Sequence, residues 1–109
     1  MKRVCTAMAI VLAGFCGPAY AGSGSGKVTR IVVHSNRAAM IRVESVSNQP
    51  ACSTIAEFAI NLDNSGGQAQ NALLLAAQLN GASVRIIGAE NCDTWSDRET
   101  IKYAYIETN

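Results

Sequence analysis

The sequence predicts a small, mainly β domain of the α+β type: a five-stranded barrel with one helix, in the order β-β-β-α-β-β, and one disulfide. Three observations predict it. Segments with a two-residue hydrophobic period stand on both sides of one long Ala- and Leu-rich segment. Short polar turns join the first three of these segments. Two cysteines follow an N-terminal export signal, as in small secreted domains.

The N-terminal segment has the three parts of a secretory signal peptide. The basic pair Lys2-Arg3 precedes an apolar run over residues 4–15, and Ala19-Tyr20-Ala21 supplies the small residues of a cleavage site. The run is shorter than the roughly 20 residues of a membrane-spanning helix. Lipoprotein processing at Cys16 is disfavoured by the bulky residue before it. We expect residues 1–21 to be removed, which gives a secreted or periplasmic protein without membrane insertion.

Cleavage after Ala21 would leave a Gly- and Ser-rich segment, residues 22–26, which we expect to be flexible. A single domain would then occupy residues 27–109. Its charge is nearly balanced, since Lys2 and Arg3 leave with the signal peptide and the other seven of nine basic residues face eight acidic ones. A chain with so little net charge is not expected to bind nucleic acid.

The cysteines indicate one disulfide. Cys5 and Cys16 lie in the signal peptide, so Cys52 and Cys92 are the expected pair. Such a bridge would stabilise the domain by about 3 to 4 kcal/mol. A redox pair and a metal site are the alternatives, but there is no Cys-x-x-Cys spacing and His34 is the only histidine. We expect no metal and no cofactor.

Alternation predicts the strands and their inward faces. The predicted strands are residues 27–34, 39–45, 54–62, 82–88 and 100–107. In the second strand, Ala39, Ile41 and Val43 share one face. In the third strand, Glu57 and Asn61 are expected to point outward. The residues of that strand expected to point inward are Ala56, Phe58, Ile60 and Leu62.

A helix is predicted over Gln68–Asn80, after a capping box formed by Ser65 and Gln68 and before Gly81. A helical projection predicts that a broad apolar stripe faces inward, formed by Ala69, Ala72, Leu73, Leu75, Ala76, Ala77 and Leu79. The opposite face carries Gln70, Asn71, Leu74 and Gln78. No charged residue occurs from residue 64 to 84. The helix is therefore either well buried within a small domain, or its second face packs against neighbouring subunits of an oligomer.

Three strands, a helix and two strands is the order of the oligonucleotide- and oligosaccharide-binding (OB) barrel. Other small α+β folds share this order. In the OB arrangement the helix closes one end of the barrel. The disulfide would then join the start of the third strand to the connection between the fourth and fifth strands.

One segment resembles a known family. The Leu- and Ala-rich helix running into LNGASVRI at residues 79–86, with Cys92 after that strand and Cys52 upstream, resembles the B subunit of subtilase cytotoxin and its small secreted relatives. The resemblance covers residues 71–92 and the general layout, and this chain is shorter than the toxin subunits. It implies a pentameric ring whose helices line a channel and whose outer faces bind cell-surface glycans, with or without an enzymatic A subunit. None of the family's glycan-contacting residues can be matched here.

The best candidate binding site is the connection between the fourth and fifth strands, residues 89–98. In OB barrels this loop and the loop between the first two strands flank the binding face. Trp95 can stack on the apolar face of a sugar, while Asp97, Arg98 and Asn36 hydrogen-bond its hydroxyls. The alternative is that Trp95 covers an open barrel end and that Asn36 is an ordinary turn residue.

Other candidates are weaker. Tyr103 and Tyr105 share one face of the fifth strand and are expected to pack in the core or between strands. His34 has no nucleophile motif around it, and Asp93 and Asp97 do not have the spacing of a calcium loop. We expect no enzyme activity.

Two function classes follow. The first is a secreted, non-catalytic glycan-binding module that resembles a toxin B subunit. The second is a periplasmic structural or protein-interaction barrel that uses a sheet edge or the helix face and has no glycan ligand.

Overall fold

The computed structural model describes residues 21–108. Residues 1–20 of the predicted signal peptide therefore lie outside the described residues. The elements are β1 (Ser23–His34), β2 (Ala38–Ser47), β3 (Phe58–Asn61), α1 (Ser65–Asn80), β4 (Ser83–Gly88) and β5 (Glu99–Ile106). The predicted order of three strands, one helix and two strands is confirmed.

The five strands close into a barrel with the neighbour order β1-β2-β3-β5-β4. Neighbouring strands are antiparallel except β3 and β5, which run parallel, with Phe58 beside Glu99 and Ala59 beside Thr100. β1 closes the barrel because it pairs with β2 along its length and with β4 through its first residues. This is the topology of the OB barrel, so the predicted fold class is confirmed.

The Gly- and Ser-rich segment over residues 22–26 belongs almost entirely to β1, which corrects the expectation that it is flexible. Residues 23–27 pair with β4, and residues 23–25 also pair with β2. Gly24 is buried, and a Cβ at this position would overlap Phe58 inside the barrel. Small residues are needed here because the strands pack closely against the core, and their pairing holds the segment in place.

The alternating apolar side chains of β2 and β3 fill the barrel. Ala39, Ile41, Phe58 and Ile60 are fully buried, as their strand periods predict. The whole cluster is Val28, Ala39, Ile41, Val43, Phe58, Ile60, Leu74, Ala77, Val84, Ile86 and Ile101. Burial of these side chains is the main source of the domain's stability.

β3 is shorter than predicted, and the segment before it departs from the expected alternation. Ala56 is exposed, although the sequence places it inward, and Glu57 is fully buried, although the sequence places it outward. The backbone N–H groups of Thr54 and Ile55 donate to the carbonyl of Asp97 at 3.1 and 3.3 Å. Because this segment bonds to the β4–β5 connection, it does not continue the β3 ladder.

α1 begins earlier than predicted. The side chain of Asn64 accepts a hydrogen bond from Gly67 N at 2.7 Å, so Asn64 is the N-cap and the capping box expected at Ser65 is wrong. The helix ends as predicted at Gly81, which has a left-handed φ of 64°. No helix within residues 21–108 has the length and apolar character needed to cross a membrane.

The helix is also turned differently from the prediction. Leu74, placed outward by the sequence, is fully buried with Ala77 against the barrel, whereas Leu79 and Leu75 are 78% and 44% exposed. The prediction fails because apolar residues extend around most of this helix. When the apolar arc is wider than one contact face, periodicity cannot determine which part packs on the barrel.

The predicted disulfide is confirmed. Cys52 and Cys92 are bonded, with Cα atoms 6.2 Å apart and a sequence separation of 40. The bridge joins the turn before β3 to the β4–β5 connection. These two irregular segments are therefore held together covalently as well as by hydrogen bonds.

Candidate functional site

The most unusual polar feature of the described residues is a buried carboxylate bound by three arginines. The side chain of Glu57 is 1% exposed. Its Oε2 lies 2.9 Å from Arg30 Nη2 and 3.0 Å from Arg42 Nε. Its Oε1 accepts a hydrogen bond from Arg98 Nε at 2.8 Å. One carboxylate thus holds three guanidinium groups in fixed positions.

Strand pairing explains why these four residues meet. Arg30 and Arg42 are direct partners in the β1–β2 ladder. Phe58 and Glu99 are partners in the parallel β3–β5 ladder, so the residues immediately before them, Glu57 and Arg98, lie side by side. The cluster forms where the β1–β2 hairpin meets the entrances to β3 and β5.

The ionisation of the cluster follows from its geometry. Burial alone raises the pKa of Glu57, but the hydrogen bond and charge of Arg98, followed by the charges of Arg30 and Arg42, bring that pKa below its ordinary value of 4.5. Burial alone lowers the pKa of Arg98, but its hydrogen bonds to Glu57 and Asp97 raise that pKa overall. Both groups are therefore charged at neutral pH.

The cluster presents positive charge to solvent. The side chains of Arg30 and Arg42 remain 52% and 47% exposed. Arg98 is only 16% exposed, and its Nη1 also bonds to Asp97. Three guanidinium groups against two carboxylates leave an excess of one positive charge. Arg30 and Arg42 therefore have N–H groups directed to solvent, while Arg98 mainly secures the loop.

Trp95 lies at the far end of the same hairpin. Its ring centroid is 4.7 Å from that of His34, with 39° between the ring planes, and the indole is partly exposed. The Trp95 carbonyl accepts a hydrogen bond from Arg98 N at 3.1 Å, which links this loop to the arginine cluster. The β4–β5 loop therefore contacts the end of β1, as the loops of an OB barrel do on the binding face.

Arg30 and His34 point to the same side of β1 because their spacing is even. At about 3.3 Å per residue, the two positions are about 13 Å apart along the strand. We call the surface formed by Arg30, Arg42, His34 and Trp95 the arginine–tryptophan face. It combines an aromatic ring at one end with two anchored, half-exposed guanidinium groups at the other.

The predicted site residues are only partly brought together. Trp95, Asp97 and Arg98 lie in one loop, with Arg98 turned toward Glu57. Asn36 is exposed in the β1–β2 turn, and the aromatic contact with Trp95 is made instead by His34, for which the sequence indicated no role in the site. The prediction that these side chains bind a ligand stays a prediction.

Sequence reasoning missed Arg30, Arg42 and Glu57. Hairpin alternation alone could have placed the two arginines on one outer face. No local pattern indicated that Glu57 would be buried, because its partners come from β1, β2 and the loop before β5.

The tyrosines of β5 form a second exposed feature. Tyr103 and Tyr105 are 48% and 45% exposed, and their rings stack with centroids 6.5 Å apart. Neither tyrosine packs in the core, so the expectation of core packing is wrong. The β4–β5 register shifts between the pairs Gly88–Ile101 and Ile87–Tyr103, and this irregularity lets Ile101 be buried in the barrel while Tyr103 and Tyr105 project outward.

The residues predicted as an oligomer interface lie mainly against the barrel. Leu74 is in the core, so it is not available to a partner. Gln70 donates a hydrogen bond to the carbonyl of Lys102 at 3.1 Å. Asn71 and Gln78 are half-buried. The exposed apolar side of α1 instead carries Leu75 and Leu79, together with Ala69, Ala72 and Ala76.

Within residues 21–108 there is no group of three or more His, Cys, Asp or Glu side chains placed to hold a metal ion. Comparisons with protein-family models, with curated proteins and with solved structures gave no match to this chain.

Proposed function

We propose that this protein is an exported, non-catalytic binding module that recognises a glycan on its arginine–tryptophan face. The observation that carries the proposal is the fixation of Arg30 and Arg42 by the buried carboxylate of Glu57, beside a loop that presents Trp95. The position of this face on an OB barrel supports the same interpretation. The disulfide supports export, because such bonds persist in oxidising compartments.

The chemistry of the face favours an acidic sugar. The indole of Trp95 can stack on the apolar side of a pyranose ring. Arg30 and Arg42 can donate paired hydrogen bonds to a carboxylate, at little entropic cost because Glu57 already holds them. An oligosaccharide with one ring stacked on Trp95 and a uronic acid at Arg30 and Arg42 would use both ends of the face.

The proposal is tested by presenting the oxidised protein Gly22–Asn109 to immobilised neutral and uronic-acid-containing glycans. We expect selective binding to acidic glycans. Trp95→Ala should weaken it by at least about tenfold, as loss of an aromatic anchor of an interface does. Tyr103→Ala is the matched control, because it removes an exposed aromatic ring from another face.

The contribution of the arginines is tested by Arg42→Gln, with Arg37→Gln as its control, since Arg37 forms an exposed ion pair with Asp63. We expect Arg42→Gln to abolish the preference for acidic over neutral glycans and Arg37→Gln to retain it. Correctly folded protein that binds no glycan, or binds equally well without Trp95, would contradict the proposal.

The exposed side of α1 favours the second candidate, a protein-interaction barrel that assembles through this helix. Leu79 and Leu75 are the most exposed leucines of a helix without charged residues, and solvent-exposed apolar stripes of this kind are typical of interfaces. Light scattering on oxidised Gly22–Asn109 tests it. A monomer that forms a complex only with a protein partner, and loses that complex in Leu79→Lys, would support it; a closed ring, such as a pentamer, would instead support the module that resembles a toxin B subunit.

A further inference from the structure

Glu99, the first residue of β5, is a second fully buried carboxylate, and it lacks the arginine partners that Glu57 has. Its Oε2 accepts hydrogen bonds from the backbone N–H groups of Gly22 and Glu90, both at 3.0 Å. Its Oε1 is buried without a hydrogen-bond partner among residues 21–108. Within the same range, no basic side chain forms an ion pair with it.

The space around this carboxylate is lined by main chain. A Cβ at Gly22 or at Gly88 would overlap the Glu99 side chain, so this carboxylate packs directly against the backbone at both positions. Gly88 N donates to the Gly22 carbonyl at 2.8 Å, which fixes Gly22 beside the carboxylate. The nitrogen of Gly22 is therefore held within hydrogen-bonding distance of the Glu99 carboxylate.

An ionised carboxylate in the interior is costly unless a positive charge accompanies it. Gly22 directly follows Ala19-Tyr20-Ala21, the predicted signal-peptide cleavage site. Before cleavage, the Gly22 nitrogen is a neutral amide with one hydrogen. After cleavage, the same nitrogen is the N-terminus of the protein.

We propose that the buried Glu99 carboxylate is the binding site for the α-ammonium group that signal-peptide cleavage creates on Gly22. Hydrolysis of the Ala21–Gly22 amide consumes one water molecule, as in any signal-peptidase reaction. The signal peptide leaves with the Ala21 carboxylate, and the Gly22 nitrogen becomes –NH3+. This group supplies a positive charge and two additional hydrogens beside Glu99, and it gives the unpartnered Oε1 a donor.

The ion pair lies where four strands meet at one end of the barrel. Ser23, next to Gly22, pairs with Ile87 of β4 and Ser47 of β2, while Glu99 begins β5. Signal-peptide cleavage therefore also places a positive charge beside the buried Glu99 carboxylate. The processed protein is more stable than the precursor.

The test compares four oxidised proteins: Gly22–Asn109 and a form that retains Ala19-Tyr20-Ala21, each with Glu99 or with Glu99→Gln. Both forms are released from a fusion partner by a protease that leaves no additional residue. With Glu99 present, we expect the three-residue extension to shift the unfolding equilibrium by on the order of 100-fold toward the unfolded state, since it removes one partner of a buried ion pair. With Glu99→Gln, the extension should have less than about a twofold effect. Equal effects in both backgrounds would overturn the proposal.

A second measurement needs no substitution and so does not depend on the stability of a variant. Folded Gly22–Asn109 is treated briefly with an amine-acylating reagent, and the labelled sites are located by mass spectrometry. An accessible α-amine reacts before lysine at neutral pH because its pKa is ordinarily about 8 and that of lysine about 10. We expect the reverse order here, with exposed Lys27 labelled before Gly22. Faster labelling of Gly22, or an exported protein whose N-terminal residue is not Gly22, would show that the proposal is wrong.

Discussion

Glu57 Oε1 and Arg98 Nε are joined by a hydrogen bond of 2.8 Å although 41 positions separate the two residues in sequence. The parallel pairing of β3 with β5 places them side by side. The same carboxylate holds Arg30 and Arg42 of the β1–β2 hairpin. One buried charge therefore connects the hairpin, the entrance to β3 and the loop that carries Trp95.

Removal of Glu57 should destabilise the fold and disorganise the candidate site. We expect Glu57→Gln to lower the free energy of unfolding by about 2 to 3 kcal/mol. This is less than the roughly 3 to 5 kcal/mol for breaking a fully buried pair, because Arg30 and Arg42 keep contact with water. Denaturant unfolding measures the loss. Glu107→Gln, which removes an exposed 3.7 Å ion pair with Arg85, is the control and should change stability by less than about 1 kcal/mol.

Stability should also fall in acid through Glu57. Its pKa is lower in the folded protein than its ordinary value of 4.5, so the folded state binds this proton less readily than the unfolded state does. The resulting stabilisation is complete above the ordinary pKa and is lost as the pH falls through the lower, folded pKa. The difference in unfolding free energy between the native protein and Glu57→Gln should therefore shrink as the pH is lowered from about 6 to about 3. A difference that is independent of pH over this interval would contradict the assigned shift.

The disulfide should contribute stability mainly by restricting the unfolded chain. For the sequence separation of 40 between Cys52 and Cys92, the chain-entropy relation gives about 4 kcal/mol. We expect the double variant Cys52→Ser/Cys92→Ser to lose about 3 to 4 kcal/mol of unfolding free energy while retaining the barrel. Replacing both cysteines avoids a free thiol. Unfolding curves of the native protein with and without reductant provide the comparison, and identical curves would show that the bond adds no stability.

The orientation of α1 can be checked by two leucine substitutions of identical chemistry. Leu74 is fully buried and Leu79 is 78% exposed. We expect Leu74→Ala to cost about 2 to 5 kcal/mol, because it removes buried methyl groups and leaves a cavity. Leu79→Ala should change the stability of the monomer by no more than about 0.5 kcal/mol. Both losses are measured by chemical denaturation at low protein concentration. A larger loss of stability for Leu79→Ala than for Leu74→Ala would indicate the helix orientation that the helical projection predicts.

The sequence by itself determined the order of the elements, most of the core and the disulfide. β2 shows why. Ala39, Ile41 and Val43 share one face and are buried inside the barrel, as strand alternation predicts, whereas the burial of Met40 on the other face was not predicted. Cys52 and Cys92 were equally constrained, because they are the two cysteines left after the predicted export signal.

The tertiary structure alone decided which way α1 faces, that residues 23–26 form a strand, and where Glu57 and Glu99 lie. Each of these depends on partners that are distant in sequence. The helix is apolar on more than one side, so the shape of the barrel end selected Leu74 over Leu79. The two carboxylates are buried because groups from other strands surround them, and local periodicity carries no information about such groups. The candidate site was therefore visible in the sequence as a loop containing Trp95, but the charged face beside it arises only when the barrel closes.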